Sequence, residues 1–183
     1  MSHIILCGSF FNAVVPCLPA GRSVGYISTV KHMNITILLI ATVLMWIAVL
    51  VGLYQRIFLM PKWFENPPAS FELIRKQSKT ARSFWIPLSI LIMISFVTAL
   101  ILNWDNYGVR IHIIGSLICF GLTGAFSGIY FVKEVLSFSK MPVNAPQTPE
   151  LLRRTKTWLR WTTVRDVLQI FAAAFVTVAY NHA

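Results

Sequence analysis

MNITILLIATVLMWIAVLVGL, residues 33–53, holds no charged side chain from end to end. A helix rises about 1.5 Å per residue, so a run of this length covers the roughly 30 Å hydrocarbon layer of a bilayer. Lipid offers no partner to a peptide N–H or C=O, and a helix satisfies both internally. This stretch therefore predicts a membrane-spanning helix and an all-α fold.

Three further runs follow. FWIPLSILIMISFVTALIL, residues 84–102, is uncharged. IHIIGSLICFGLTGAFSGIYFV, residues 111–132, carries His112 at its start. VRDVLQIFAAAFVTVAY, residues 164–180, opens with Arg165 and Asp166. Composition agrees, with 56% hydrophobic residues, 12% charged ones and a mean hydropathy of +0.68. A soluble domain is about 25% charged, and half that share does not cover a water-facing surface. The expectation is one integral membrane four-helix bundle over residues 33–183.

Residues 1–32 stand apart. Residues 4–15 are apolar but too short to span, and Gly8 and Asn12 interrupt them. No positive segment precedes them, which argues against a signal peptide. Met33 sits where the first span begins. The preferred reading is a start at Met33 with a non-native or poorly ordered leader before it; the other is a re-entrant or interfacial leader. Cys7 and Cys17 have no pairing that spacing alone establishes. Cys119 reads as a small packing residue in the third span.

The net charge is +10, and its distribution gives an orientation. Arg56, Lys62, Arg75, Lys76, Lys79 and Arg82 lie between spans one and two. Lys133, Lys140, Arg153, Arg154, Lys156 and Arg160 lie between spans three and four. Between spans two and three there is only Arg110, with Asp105 nearby. Positive loops stay inside, so both basic loops are expected in the cytoplasm and both termini outside, in the inner membrane. The basic residues sit beside spans and anionic headgroups, which argues against nucleic acid as a partner. In the first basic loop, the helix is expected to stop before Pro61, with Trp63 and Phe64 at the interface. Ser70 is expected to cap a short helix over residues 71–83 that lies on the headgroups. Residues 139–149 read as irregular, and residues 150–161 as a basic helix leading into span four.

Few residues carry chemistry. No HxxxH, CxxC or HExxH pattern occurs, so no metal site is expected, and there is no glycine-rich phosphate loop. Haem and quinone stay open, and no cofactor is implied. Ionisable groups at membrane depth are costly and are functional candidates by default. Thr162, Asp166, Gln169 and Ala173 share one helical face, with Arg165 about 100° round from Asp166. The plain reading pairs Arg165 and Asp166 with loop charges at the interface. The sharper one is a buried polar site in which Arg165 holds an anionic oxygen and Asp166 orients it or acts as a base. His112 belongs to the outer end, near Asp105, Tyr107 and His182. Gly115, Gly121, Gly124 and Gly128 make a small-residue face, which suits close helix contact, including homo-oligomer contact, or a cavity.

Three segments carry a family resemblance. They are YQRIFLMPKWFENPPASFELIRKQSKTARSFWIP, KMPVNAPQTPE and TWLRWTTVRDVLQIFAAAF. Over residues 33–180 the chain resembles the small four-helix anthrone-oxygenase-like family of bacteria and fungi, most of whose members are a membrane domain of unknown function. The most specific element is Trp158, Thr162 and Arg165 at the opening of the last helix. The family more often has Asn where this chain has Thr162, which weakens a hydrogen-bonding role there. The resemblance implies a cofactor-free oxygenase that turns an anthrone-like substrate into a carbanion and lets it meet O₂ in a dry pocket. Arg165 would then stabilise the phenolate or enolate oxygen, with Asp166 or His112 as base. Trp158, Trp161 and Trp85 would line the pocket. His112 and Arg165 start opposite ends of their spans, which favours the cytoplasmic group. Two readings result: a membrane oxidoreductase for a hydrophobic aromatic or quinone-like molecule, and a non-enzymatic subunit that packs against partner helices.

Overall fold

The computed structural model describes the backbone of residues 20–183 and the side chains from residue 32 on, Lys79 apart. The leader reading of residues 1–32, with Cys7 and Cys17, therefore lies outside the described side chains. The described residues are helical apart from short connections, with no strand among them. The elements are α1 (Ala20–Tyr54), α2 (Met60–Trp63), α3 (Phe71–Leu102), α4 (Tyr107–Phe126), α5 (Val132–Lys140) and α6 (Pro149–Asn181). A π-helical turn, Gln55–Leu59, joins α1 to α2, and a second, Ser127–Phe131, joins α4 to α5. Four stretches among the described residues are long and apolar enough to cross a membrane: His32–Trp63, Thr80–Leu102, Tyr107–Lys140 and Pro149–Asn181. The chain is an all-α bundle and a multi-pass membrane protein.

The compact unit Met33–Ala183 is an up-down-up-down bundle. Trp46 donates to Thr177 (3.0 Å), and Arg56 reaches Asp166 ten residues on, so α1 and α6 run antiparallel. Ser116 of α4 donates to the Ala172 carbonyl of α6 (3.0 Å), and past the second π turn Arg154 of α6 donates to Glu134 of α5 (2.9 Å). Asn34 donates to the Leu102 carbonyl and ties the start of the α1 span to the end of α3. A Cβ placed on Gly115 would stand 3.3 Å from the Phe175 ring, so this glycine lets α4 and α6 meet closely.

The interior forms three layers. At the His112 end are Leu38, Ala99, Val109, Ile113 and Ala179. The middle holds small and long residues together, among them Ala41, Met45, Ala48, Phe96, Ala172 and Val176. The other end is aromatic, with Trp63, Phe71, Phe131, Phe138 and Trp158. The outer faces are apolar as well. Ile101 and Ile129 are each 68% exposed, and Leu50, Ile94, Val97, Leu122 and Phe171 are exposed too. Contiguous apolar surface on this scale is incompatible with water and fits lipid.

Several local expectations are corrected. Residues 71–83 do not form a separate helix on the headgroups. Phe71 and Ile74 are buried in the aromatic layer, and one helix continues to Leu102 with Pro87 inside it. Ser70 does not cap that helix, because its hydroxyl donates instead to the Trp63 carbonyl (2.7 Å). Trp63 is buried rather than interfacial, and its indole donates to Gln77 (2.7 Å). The first helix does not stop before Pro61. It widens into a π turn in which the Met60 N–H bonds to the Gln55 carbonyl. Pro61 then falls in the first turn of α2, inside the continuing helix, where it has no N–H to give to the preceding turn. As expected, the basic stretch before span four leads directly into it, as one helix from Pro149.

Candidate functional site

One stripe of α6 is buried from end to end: Leu151, Thr155, Trp158, Thr162, Asp166, Gln169, Ala172, Ala173, Val176 and Ala179. Steps of three and four residues put these side chains on one face. The polar part of the stripe begins beside the aromatic layer. Thr162 spends its hydroxyl on the Trp158 carbonyl (2.9 Å), a local back-bond within α6. Gln169 lies against α1, its Oε1 3.6 Å from a Cβ built on Gly52.

Asp166 is the centre of the site. Its Oδ2 accepts from Arg56 Nη1 (3.1 Å), and its Oδ1 accepts from Arg165 Nη2 (3.1 Å) and Nε (3.3 Å). Arg56 also donates to the Thr163 hydroxyl (2.6 Å). The Arg165 guanidinium lies over the Phe131 ring, 5.0 Å from its centroid. Side-chain exposure is 8% for Asp166, 17% for Arg165 and 34% for Arg56. One carboxylate thus faces two guanidiniums, and the cluster carries one positive charge in excess.

Trp158 is 2% exposed and sits among rings. Phe64 is 5.3 Å from it, Phe131 5.5 Å and Trp63 6.5 Å, centroid to centroid. Its Nε1 is buried and has no hydrogen-bond partner. A buried indole N–H normally finds one, and an orphan costs on the order of 1–3 kcal/mol. Phe131 touches both Trp158 and Arg165, so it joins the aromatic layer to the charge cluster.

Sequence reasoning missed Arg56 and Phe131. Each comes from a π-helical turn, Gln55–Leu59 and Ser127–Phe131. Such turns are rare and recur at functional sites, because the extra residue re-aims the side chains around it. The physical signals were present. Pro61 crowds the carbonyl four residues back, at Ile57. Thr123 and Ser127 both bond back to the preceding turn, at Cys119 (2.9 Å) and Thr123 (2.8 Å). Arg56 was counted among loop charges, although it follows span one without a break in helical register.

Other expected site residues lie elsewhere. Trp161 is exposed and stacks on Phe126, 5.6 Å away, on the outside of the bundle. Trp85 packs against the middle layer and edge-on to Phe84, away from the aromatic layer that holds Trp158. His112 belongs to the opposite end, stacked on His182 at 5.6 Å and 6.4 Å from Phe175. Its Nδ1 donates to the Gly108 carbonyl, 2.6 Å away, since a carbonyl only accepts. The two imidazoles lie face to face, whereas axial ligands of one haem point their nitrogens at the iron from opposite sides. Among the described residues no three His, Cys, Asp or Glu side chains gather as a metal-binding group. Of the small-residue face, Gly115 is spent on Phe175, and Gly121, Gly124 and Gly128 look into open space.

Comparison with protein-family models, curated proteins and solved structures returned no match.

Proposed function

We propose that this chain is a multi-pass protein of the cytoplasmic membrane that takes a hydrophobic aromatic or quinone-like small molecule at Arg165 and acts on it as an anthrone-oxygenase-like oxidoreductase. One observation carries the reading: a charge cluster with an unbalanced guanidinium shares Phe131 with a buried indole N–H that has no partner. A flat ligand with an anionic oxygen satisfies both needs. Its ring suits the aromatic layer, and its oxygen suits Arg165. Orientation follows the basic connections. Those carrying Arg75 and Arg153 face the cytoplasm and the termini face out, which puts the cluster near the inner surface.

The chemistry is best supported on its electrostatic side. Preorganised cationic donors stabilise an oxygen as charge builds on it, in a medium where they need not reorganise. Asp166 holds Arg165 in place. Both its oxygens are engaged, so it serves as a base only by releasing a guanidinium. His112, at the far end, is not placed to serve the same substrate.

A second reading is favoured by a separate observation. Gly121 and Gly124 of α4 and Gly128 of the π turn after it leave an outward-facing strip without side chains, which is where a partner helix would pack closely. On that reading the chain is a non-enzymatic membrane subunit.

Oxygen uptake by the purified chain, given an anthrone or a hydroquinone, decides between them. The wild type is expected to consume oxygen. Arg165→Ala is expected to lower the rate about a hundredfold, the usual effect of losing one oxyanion donor. Two equally inactive proteins would remove the enzyme reading and leave the subunit.

A further inference from the structure

A groove separates the α4–α5 ridge from α6 at the basic end of the bundle. It contains a cleft of about 350 Å³ lined by Tyr130, Glu134, Arg153, Arg154 and Thr157. From this cleft we infer a binding site for the phosphodiester headgroup of an anionic phospholipid, distinct from the Arg56–Asp166–Arg165 cluster.

Charge comes first. Arg154 is committed. It donates to Glu134 (2.9 Å) and to the Ser137 hydroxyl (3.2 Å), and its guanidinium lies over the Phe138 ring. Glu134 is thereby neutralised. Arg153, exposed beside it, makes no ion pair among the described residues. The cleft is left with one unmatched positive charge, which suits a singly charged phosphodiester. The hydroxyl-bearing side chains of Tyr130 and Thr157 form part of the same wall.

The order of polarity along the groove identifies a lipid rather than a free anion. On α6, Arg153, Thr157 and Trp161 follow one another at four-residue spacing and so share a ridge. Across the groove, Glu134, Tyr130 and Phe126 run in parallel order. Charged groups therefore face each other first, then hydroxyl-bearing residues, then the stacked rings of Phe126 and Trp161. Arg165, next on the α6 ridge, is drawn inward onto Asp166 and Phe131, so Trp161 closes the polar stretch. Leu122 on α4 and Ile129 in the following π turn are exposed nearby in the chain. This sequence of phosphate, glycerol and acyl environments is that of a phospholipid at the bilayer boundary. Basic pockets between spanning helices bind anionic headgroups in this way.

The test uses the full chain, purified with an equimolar mixture of phosphatidylglycerol and phosphatidylcholine of matched acyl chains. Native mass spectrometry then counts the lipid retained. Wild type is expected to keep phosphatidylglycerol over phosphatidylcholine about fivefold, the effect of roughly one interfacial cation. Arg153→Ala is expected to bring the ratio near one, and Arg153→Lys to retain most of the preference. Arg82→Ala, an exposed cation on α3, should leave it intact. An unchanged ratio in Arg153→Ala, or an equal fall in Arg82→Ala, would mean a diffuse charge effect and overturn the site. Should Arg153→Ala not fold, Arg153→Gln removes the same charge from an exposed helical position, and an unchanged ratio there overturns the site equally. Loss of the retained phosphatidylglycerol to excess inorganic phosphate would reassign the cleft to the free anion.

Discussion

Asp166→Ala is expected to destabilise the bundle by about 3 kcal/mol. The reason lies in what remains. Without the carboxylate, Arg56 and Arg165 face each other as two like charges, and Arg165 is only 17% exposed. Removing one partner of a buried pair leaves an uncompensated charge where water cannot restore it. Arg56, one-third exposed, recovers part of its hydration, which holds the loss toward the lower end of the usual range. Asp166→Asn should cost less, because an amide oxygen still accepts from one guanidinium. The informative variant is the triple change Asp166→Ala, Arg56→Met, Arg165→Met. It removes every charge together and should recover most of the loss, since apolar replacement of a whole buried cluster is often neutral. Equilibrium unfolding in mixed detergent micelles, with the single and triple variants side by side, gives the coupling directly. A loss below about 1 kcal/mol for Asp166→Ala would mean that the cluster behaves as a surface pair.

The same cluster shows how far sequence reading reaches. The four spans were legible because lipid imposes one rule on every residue of a long run, and uncharged stretches such as 33–53 obey it visibly. The buried face of α6 was legible for a similar reason. Trp158, Thr162, Asp166 and Gln169 stand at helical spacing, and regular geometry turns spacing into position. Arg56 was not legible as the partner of Asp166. The pairing crosses 110 residues, and it depends on a π turn whose cause, Pro61, reads more simply as a helix end. Trp63, Trp85, Trp158 and Trp161 look alike in sequence, yet Trp63 and Trp158 are buried in the aromatic layer and Trp161 faces outward. Trp85 goes to a different layer. Helix rotation separates them, and in a bundle that is apolar on both its inner and outer faces, hydrophobic patterning does not report rotation. That is why membrane helices are easy to find and hard to orient from sequence.

Trp158 offers the sharpest separation between structure and function. Trp158→Ala should cost about 4 kcal/mol, as expected when a large aromatic is removed from a packed layer. Its ring meets Phe64, Phe131 and Trp63, and those contacts vanish together. Such a result reports packing alone. Trp158→Phe asks the functional question. Most of the aromatic body stays, so stability should move by less than about 1.5 kcal/mol. The change deletes an N–H that has no partner in the folded chain, and so removes an unpaired donor rather than a bond. If that donor is kept for the oxygen of a bound ligand, its loss should appear in binding. A hydrogen bond to a charged oxygen is worth about 1.5–3 kcal/mol, so affinity for a hydroxyanthraquinone, measured by calorimetry in detergent, should fall about tenfold or more. Arg165→Ala should weaken the same titration, because both groups border Phe131 and would share one ligand. Wild-type affinity in Trp158→Phe, with Arg165→Ala weakened, would place the ligand at the charge cluster without the aromatic layer. Wild-type affinity in both would detach the ligand from this end of the bundle. The expected pattern, near-native stability with weakened binding in Trp158→Phe, is one that a purely structural tryptophan does not produce.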